Sequence, residues 1–182
     1  IIPAGMEIMD KALTKATNDY SKAGYPVDAE AMMIVELDGT ETEVLELIKR
    51  VEVIAKKNKC SSIKINKSDE ERLKFWAGRK AAFPACGDLA PDYMCMDGSI
   101  PRGKLAEVLK EIQRLSQKYE LPVANAFHAG DGNLHPLIMF NANDPEQLRK
   151  TEEFGSEILK YCVKVGGALT GEHGVGIEKR EL

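Results

Sequence analysis

Apolar side chains along this chain change their repeat several times, recurring every third or fourth position in some stretches and every second in others. Such switching marks alternating helices and strands. Met6–Tyr20 reads as an opening helix, and "AMMIVEL" (31–37) as a buried strand. Thr40 with Glu43 forms a capping box, and Val44, Leu47, Ile48, Val51, Ile54 and Ala55 are the apolar stripe of the helix it opens. "SIKIN" (62–66) predicts a short strand, and Ser68 with Glu71 caps a helix bearing Leu73, Trp76 and Arg79. "YMCMDGSI" (93–100) predicts another strand. Pro101 stands near the start of a helix with Leu105, Val108, Leu109, Ile112 and Leu115 on one face. "LPVANAF" and "LHPLIMF" are two strands joined by a turn. Asp144, Pro145 and Gln147 open a last helix with Phe154, Ile158, Tyr161, Cys162 and Val165 as its stripe, and Gly166–Gly167 end it. The order predicts an α+β fold, a mainly antiparallel sheet with helices packed on one face, formed by residues 1–182 as one domain.

Composition narrows the class without naming a chemistry. The chain has 182 residues, 43% hydrophobic and 30% charged, with a formal net charge of −4. Basic residues are spread along it, so no electrostatic footprint for nucleic acid is present. No apolar run approaches the ~20 residues of a membrane span. No secretory signal precedes the first helix, and Cys60, Cys86, Cys95 and Cys162 form no C-x-x-C motif. Reduced, mostly buried thiols and a cytoplasmic location are expected, with any membrane association made through partners. The chain has no starting Met and stops at "EKREL", so a piece of a longer protein is expected.

Chemistry concentrates at the three histidines. In "FHAGDGNLHP" (127–136), Asp-Gly between two apolar strands predicts a two-residue type I′ hairpin, which needs positive φ at both central positions. With Asp131–Gly132 at the centre, His128 and His135 fall opposite each other, with Cβ atoms roughly 4.5–5.5 Å apart. Two imidazoles so placed reach one ion at ~2.1 Å each. An EF-hand reading of "DGNLH" fails, because Ala142 occupies the position of the bidentate Glu. The third histidine lies in "GGALTGEHGVG", where glycines let backbone turn sharply. A Glu172 carboxylate added to two imidazoles makes an N,N,O set with open positions, suited to Zn²⁺ or to Fe²⁺ or Mn²⁺. His173 beside it is placed to take a proton from whatever a metal polarises. The plainer reading is a tight turn with ordinary cross-strand neighbours and a solvated Glu-His pair. That every histidine falls in these two Gly-flanked motifs favours a joint site.

"FHAGDGNLHP" followed by "GGALTGEHGVGIEKR" resembles the C-terminal cap domain of FAD-linked oxidases of the vanillyl-alcohol-oxidase type, and most of all their 2-hydroxy-acid dehydrogenase branch. "IIPAGMEIMDKAL", "GYPVDAEAMMIVELDG" and "LKFWAGRKAAFPA" (73–85) share the likeness, which covers nearly the whole chain. The resemblance implies a ferredoxin-like cap over a flavin, with His128, His135 and Glu172 as metal ligands. It implies His173 as the base that removes the substrate hydroxyl proton, and Arg79 as the holder of the substrate carboxylate. An arginine's planar fork suits that task. Implied too are FAD held mainly by a domain outside this chain, a small 2-hydroxy acid as substrate, and partner subunits for electron transfer. Members acting on dicarboxylates tend to carry polar groups where this chain has Phe83 and Cys95, so glycolate or D-lactate is expected. No G-x-G-x-x-G fingerprint or P-loop occurs here, so the piece alone is expected to be inactive. The residues by themselves also admit a stand-alone metal-dependent hydrolase or a non-catalytic metal-binding module.

Overall fold

The computed structural model describes residues 1–182. Its centre is one six-stranded sheet, of order β2-β1-β5-β6-β3 with the short β4 also paired to β6. Every pairing is antiparallel. The strands are β1 (Gly5–Asp10), β2 (Ala31–Glu36), β3 (Asp92–Cys95), β4 (Gly98–Ser99), β5 (Val123–His128) and β6 (Asn133–Phe140). The helices are α1 (Lys11–Ser21), α2 (Glu41–Lys57), α3 (Asp69–Lys80), α4 (Ala82–Ala85), α5 (Leu105–Tyr119) and α6 (Pro145–Lys164). Strand β6 lies between β3 and β5, which α5 connects. That is the split β-α-β arrangement of ferredoxin-like sheets, so the expected α+β class is found.

Sheet alternation gives each face its own apolar set. Phe127, Leu134, Ile138 and Phe140 face α5 and α6, where Val108, Ile112, Leu115, Phe154, Ile158 and Leu159 complete the larger core. The opposite face is covered as well: Met9, Ala124, Ala126, Leu137 and Met139 pack with Leu13 of α1, Ala82 of α4 and Cys86. Helix α3 adds Arg79 to that side, and the candidate site lies there.

Several expected elements differ. Met6–Asp10 is the strand β1, not helix, and α1 starts at Lys11, capped by the Asp10 carboxylate accepting from Leu13 N at 2.9 Å. Met6, Met9 and Leu13 sit at helix-like spacing, which hid the alternation of Glu7 and Met9 toward one covered face of the sheet with Ile8 toward the other. The 31–37 segment is a strand at the sheet edge rather than a buried one, and Met33 is 48% exposed. "SIKIN" forms no strand, and Ile63 and Ile65 are exposed. The 93–100 strand breaks at Met96–Asp97 into β3 and β4. The capping box of Thr40 and Glu43 is present. Asp144 caps α6, accepting from Glu146 N and Gln147 N, and no helix is long and apolar enough to cross a membrane.

Candidate metal and proton-transfer site

The two hairpin histidines share a face, but by a different register. Position 128 pairs with Asn133, and His135 lies opposite Ala126. The turn is therefore wider than expected. Asp131 N and Gly132 N both donate to His128 O, at 3.1 and 3.0 Å, and only Gly132 has positive φ, at 78°. Neighbouring backbone accounts for the width: Gly130 N donates to Met6 O at 3.0 Å, and Ile100 N donates to Gly132 O at 2.9 Å. The turn is held by the elements beside it, not closed on itself. The histidines are diagonal neighbours, and a two-residue shift keeps them on one face. Their ring centroids are 5.1 Å apart, nearly perpendicular.

Glu172 reaches both rings from the Gly-rich loop after α6. Its carboxylate oxygens lie 3.7 Å from His128 Nε2 and 3.4 Å from His135 Nε2. One ligand atom from each of His128, His135 and Glu172 falls within 4.8 Å of the others, so the three converge on a cation-sized point. His173 joins them: its ring stacks on His135 with centroids 5.2 Å apart and planes at 14°. All four residues singled out in the two Gly-flanked motifs are thus brought together.

Burial makes this set unusual. His135 is 2% exposed, yet neither Nδ1 nor Nε2 has a hydrogen-bond partner. Leaving such a group unpaired costs about 1–3 kcal/mol, and a buried, unspent imidazole nitrogen facing a carboxylate is what a cation would satisfy. The donor set fits a divalent ion of the Zn²⁺, Fe²⁺ or Mn²⁺ kind. Burial, and then the neighbouring His128, push the His135 imidazole below its ordinary value, which favours the neutral form that binds metal.

Two carboxylates that the sequence did not single out organise these groups. Glu7 of β1 lies directly opposite His128 of β5. Its oxygens are 2.7 and 2.9 Å from His128 Nδ1. The Glu7 hydrogen bond raises the His128 pKa against the opposing effect of burial. With Nδ1 turned to Glu7, Nε2 is left free to meet a cation, the carboxylate–histidine arrangement that orients many metal ligands. Arg79 from α3 binds the same carboxylate, Nε donating to Glu7 Oε2 at 3.0 Å. Its Nη2 lies 2.9 Å from the same oxygen without hydrogen-bond alignment, leaving that buried nitrogen unspent. Arg79 therefore reaches the site, through Glu7. Phe83 of α4 presents its ring to His135, centroids 6.2 Å apart, and Cys95 lies on the same face of the sheet, in register with Leu137.

Asp97, at the break between β3 and β4, has no exposed surface. Burial raises its pKa, but bonds from the Thr170 hydroxyl and the amides of His173, Glu172 and Gly171 overcome that and hold the carboxyl well below the usual range. Only weak signals existed for either residue. Glu7 is a lone acid inside an alternating "MEIM", and Asp97 precedes a Gly between apolar runs.

The comparisons agree with this architecture. The profile of the family described as FAD linked oxidases, C-terminal domain, matches residues 1–182. The chain belongs to that family. It is 54% identical over 179 residues to glycolate oxidase subunit GlcD of Escherichia coli (strain K12), covering 98% of this chain and 36% of that protein. It is 31% identical over 176 residues to the mitochondrial D-lactate dehydrogenase [cytochrome] of Arabidopsis thaliana, covering 96% of this chain and 31% of the relative. The chain thus spans about a third of the length of these curated relatives. Among solved structures, p-cresol methylhydroxylase with substrate bound matches with TM-score 0.62 at 15% identity, over 91% of this chain and 38% of that one. The 4-ethylphenol oxidase of Gulosibacter chungangensis matches with TM-score 0.60 at 11% identity, over 90% and 38%. These two show the fold.

The family's description names FAD linkage, and the Gly-rich loop after α6 has no amides to spare for the cofactor's phosphates. The amides of Gly171, Glu172 and His173 in the Gly-rich loop already point at Asp97. Glu172, 54% exposed, instead leaves the site open on its outer side.

Proposed function

We propose that this chain is the substrate- and metal-binding cap of an FAD-dependent 2-hydroxy-acid dehydrogenase that oxidises glycolate or D-lactate to the corresponding oxo acid. The observation that carries the reading is the convergence of His128, His135 and Glu172 on one point beside a buried, unpaired imidazole. The relatives are named as an oxidase subunit and a dehydrogenase acting on such acids. A stand-alone hydrolase has no such support.

His128 and His135 would hold a divalent cation from the hairpin, and Glu172 from the loop. When bound, the cation supplies Lewis acidity toward a hydroxyl, and the flavin carried by the rest of the protein supplies a two-electron acceptor. The protein's own part is to bind, orient and move a proton. His173, stacked over His135, accepts the proton of the substrate hydroxyl at an imidazole nitrogen. Arg79, with a buried nitrogen unspent, pairs with the substrate carboxylate. Phe83 beside His135 makes one wall apolar, which suits a hydrogen or methyl group and disfavours a second carboxylate. The full-length protein would then pass electrons to partner subunits.

The test uses the full-length protein with its flavin. His173→Ala should retain metal and flavin and lose about 10²–10⁴-fold in kcat. Unchanged turnover with metal retained would overturn the base assignment. Glycolate or D-lactate should exceed D-2-hydroxyglutarate in kcat/KM, and the reverse order would reject the small monocarboxylate.

A further inference from the structure

We propose that Asp97 is a positioning residue that fixes Glu172 and His173 over the hairpin histidines. The inference rests on the metal-site reading above and names what assembles that site.

The loop carrying Glu172 and His173 has little to hold it. Residues 171–178 are exposed, and beyond the bridge of Ser99 with Ala168 the segment joins no strand. Gly174 and Gly176 have φ of 83° and 56°, so the chain on the far side is conformationally permissive. Every hydrogen bond that residues 170–173 donate ends on Asp97. Its Oδ2 accepts from Thr170 Oγ1 at 2.6 Å, Gly171 N at 3.0 Å, Glu172 N at 3.1 Å and His173 N at 2.9 Å. Its Oδ1 also accepts from Glu172 N, at 3.1 Å. Successive backbone amides converging on one anion form a nest, a geometry that binds negative charge well. Here the anion is the protein's own.

The anchor is itself fixed. Lys179 is 5% exposed; its Nζ donates to Asp97 O at 2.7 Å and lies 3.6 Å from Oδ2. Asp97 Oδ1 is 3.6 Å from His135 Nε2, so a single buried carboxylate stands between the loop that brings the acid and the hairpin that brings the imidazoles. Thr170 Oγ1 accepts in turn from Gly174 N at 2.9 Å, closing the loop over the acid.

Asp97→Asn keeps the size of the side chain but removes the charge and sets an N–H₂ against a row of N–H donors. The experiment is zinc-chelator competition on the full-length, metal-stripped protein, with zinc ion as probe, in a cycle with Glu172→Ala. Asp97→Asn alone is expected to weaken zinc binding about 10–100-fold, with amide exchange at 171–173 accelerated. In the Glu172→Ala background the same change should have little further effect, because the residue it acts through is already gone. A merely structural role would weaken binding equally in both backgrounds, and that result overturns the proposal. So does unchanged zinc affinity on Asp97→Asn while Glu172→Ala weakens it. Unchanged affinity on Glu172→Ala instead refutes the metal-site reading on which the proposal stands. Should Asp97→Asn fail to fold, Thr170→Val removes the 2.6 Å donor and should weaken zinc several-fold with the same dependence on Glu172; an unaltered affinity there also overturns the proposal.

Discussion

Replacing Glu7 should damage the site and the sheet together, because one buried carboxylate serves both. Glu7 and Arg79 are 8% and 7% exposed, and the carboxylate is shared between the guanidinium and His128 Nδ1. Removing one partner of a buried ion pair strands the other charge and costs about 3–5 kcal/mol, so Glu7→Ala should lose stability on that scale. Glu7→Gln is the sharper probe. Its amide keeps the volume, but an N–H facing His128 Nδ1 moves the ring proton to Nε2 and blocks the ligating lone pair. Loss of such an orienting partner weakens metal binding about 10–100-fold, equivalent to about 1.4–2.7 kcal/mol. Zinc competition and native-state amide exchange of β1 and β5 would read the two effects separately. Arg79→Met in the Glu7→Gln background should recover part of the lost protection, since an apolar replacement of a whole pair is often neutral. Wild-type zinc affinity and wild-type exchange in Glu7→Gln would refute the shared-carboxylate argument.

Other outcomes follow from single contacts. A Cβ on Gly171 would lie 2.5 Å from the amide of buried Asn133, so Gly171→Ala should displace the loop at a cost of about 1–3 kcal/mol, read as weaker zinc binding. Gly174→Ala meets nothing within 4 Å and should be penalised only for its left-handed backbone, about 1–2 kcal/mol; equal zinc losses in the two variants would contradict this. Burial pushes the thiols of Cys86 and Cys162 up to about 11 and that of Cys95 up to about 12, whereas Cys60 is exposed. Iodoacetamide at pH 8 should therefore label Cys60 ahead of the other three in the native protein, and peptide mapping checks it. The Thr40 hydroxyl and backbone amide hold the Glu43 carboxyl below its usual range. A depressed folded pKa stabilises above the unfolded carboxylate value, about 4.3, and that stability is lost as pH falls through the folded value. Thr40→Val should raise the Glu43 titration midpoint seen by NMR, and an unmoved midpoint would break the capping argument.

Legibility followed locality. The caps at Thr40, Ser68 and Asp144 were readable because each is a short-range pattern satisfied within one turn. The two hairpin strands were readable because their apolar runs stand on either side of Asp-Gly. The hairpin register was not, since Met6 O and Ile100 N come from other parts of the chain. The convergence of His128, His135 and Glu172 does not depend on that register, because a shift of two positions preserves the face. Glu7 was hidden by the helix expected over Met6–Tyr20, and Asp97 by the strand expected over 93–100. Both were lost to tertiary partners, a guanidinium in one case and a row of amides in the other, that no local window contains.

The polar cluster draws on residues from Glu7 to His173, almost the whole length of the chain, with Arg79, Asp97, His128 and His135 between. Ribosomes deliver roughly 5–20 residues per second, so Glu7 precedes Glu172, near the other end of the cluster, by on the order of ten seconds. Pairings this distant in sequence form late and slowly. During translation the nascent polypeptide must carry a strand that will lie inside its sheet, bearing a charge with no mate, until Arg79 and then His128 have emerged. Completion of the cluster is thereby deferred until Glu172 has been made, and a product truncated before it would lack the acid that meets the two imidazoles.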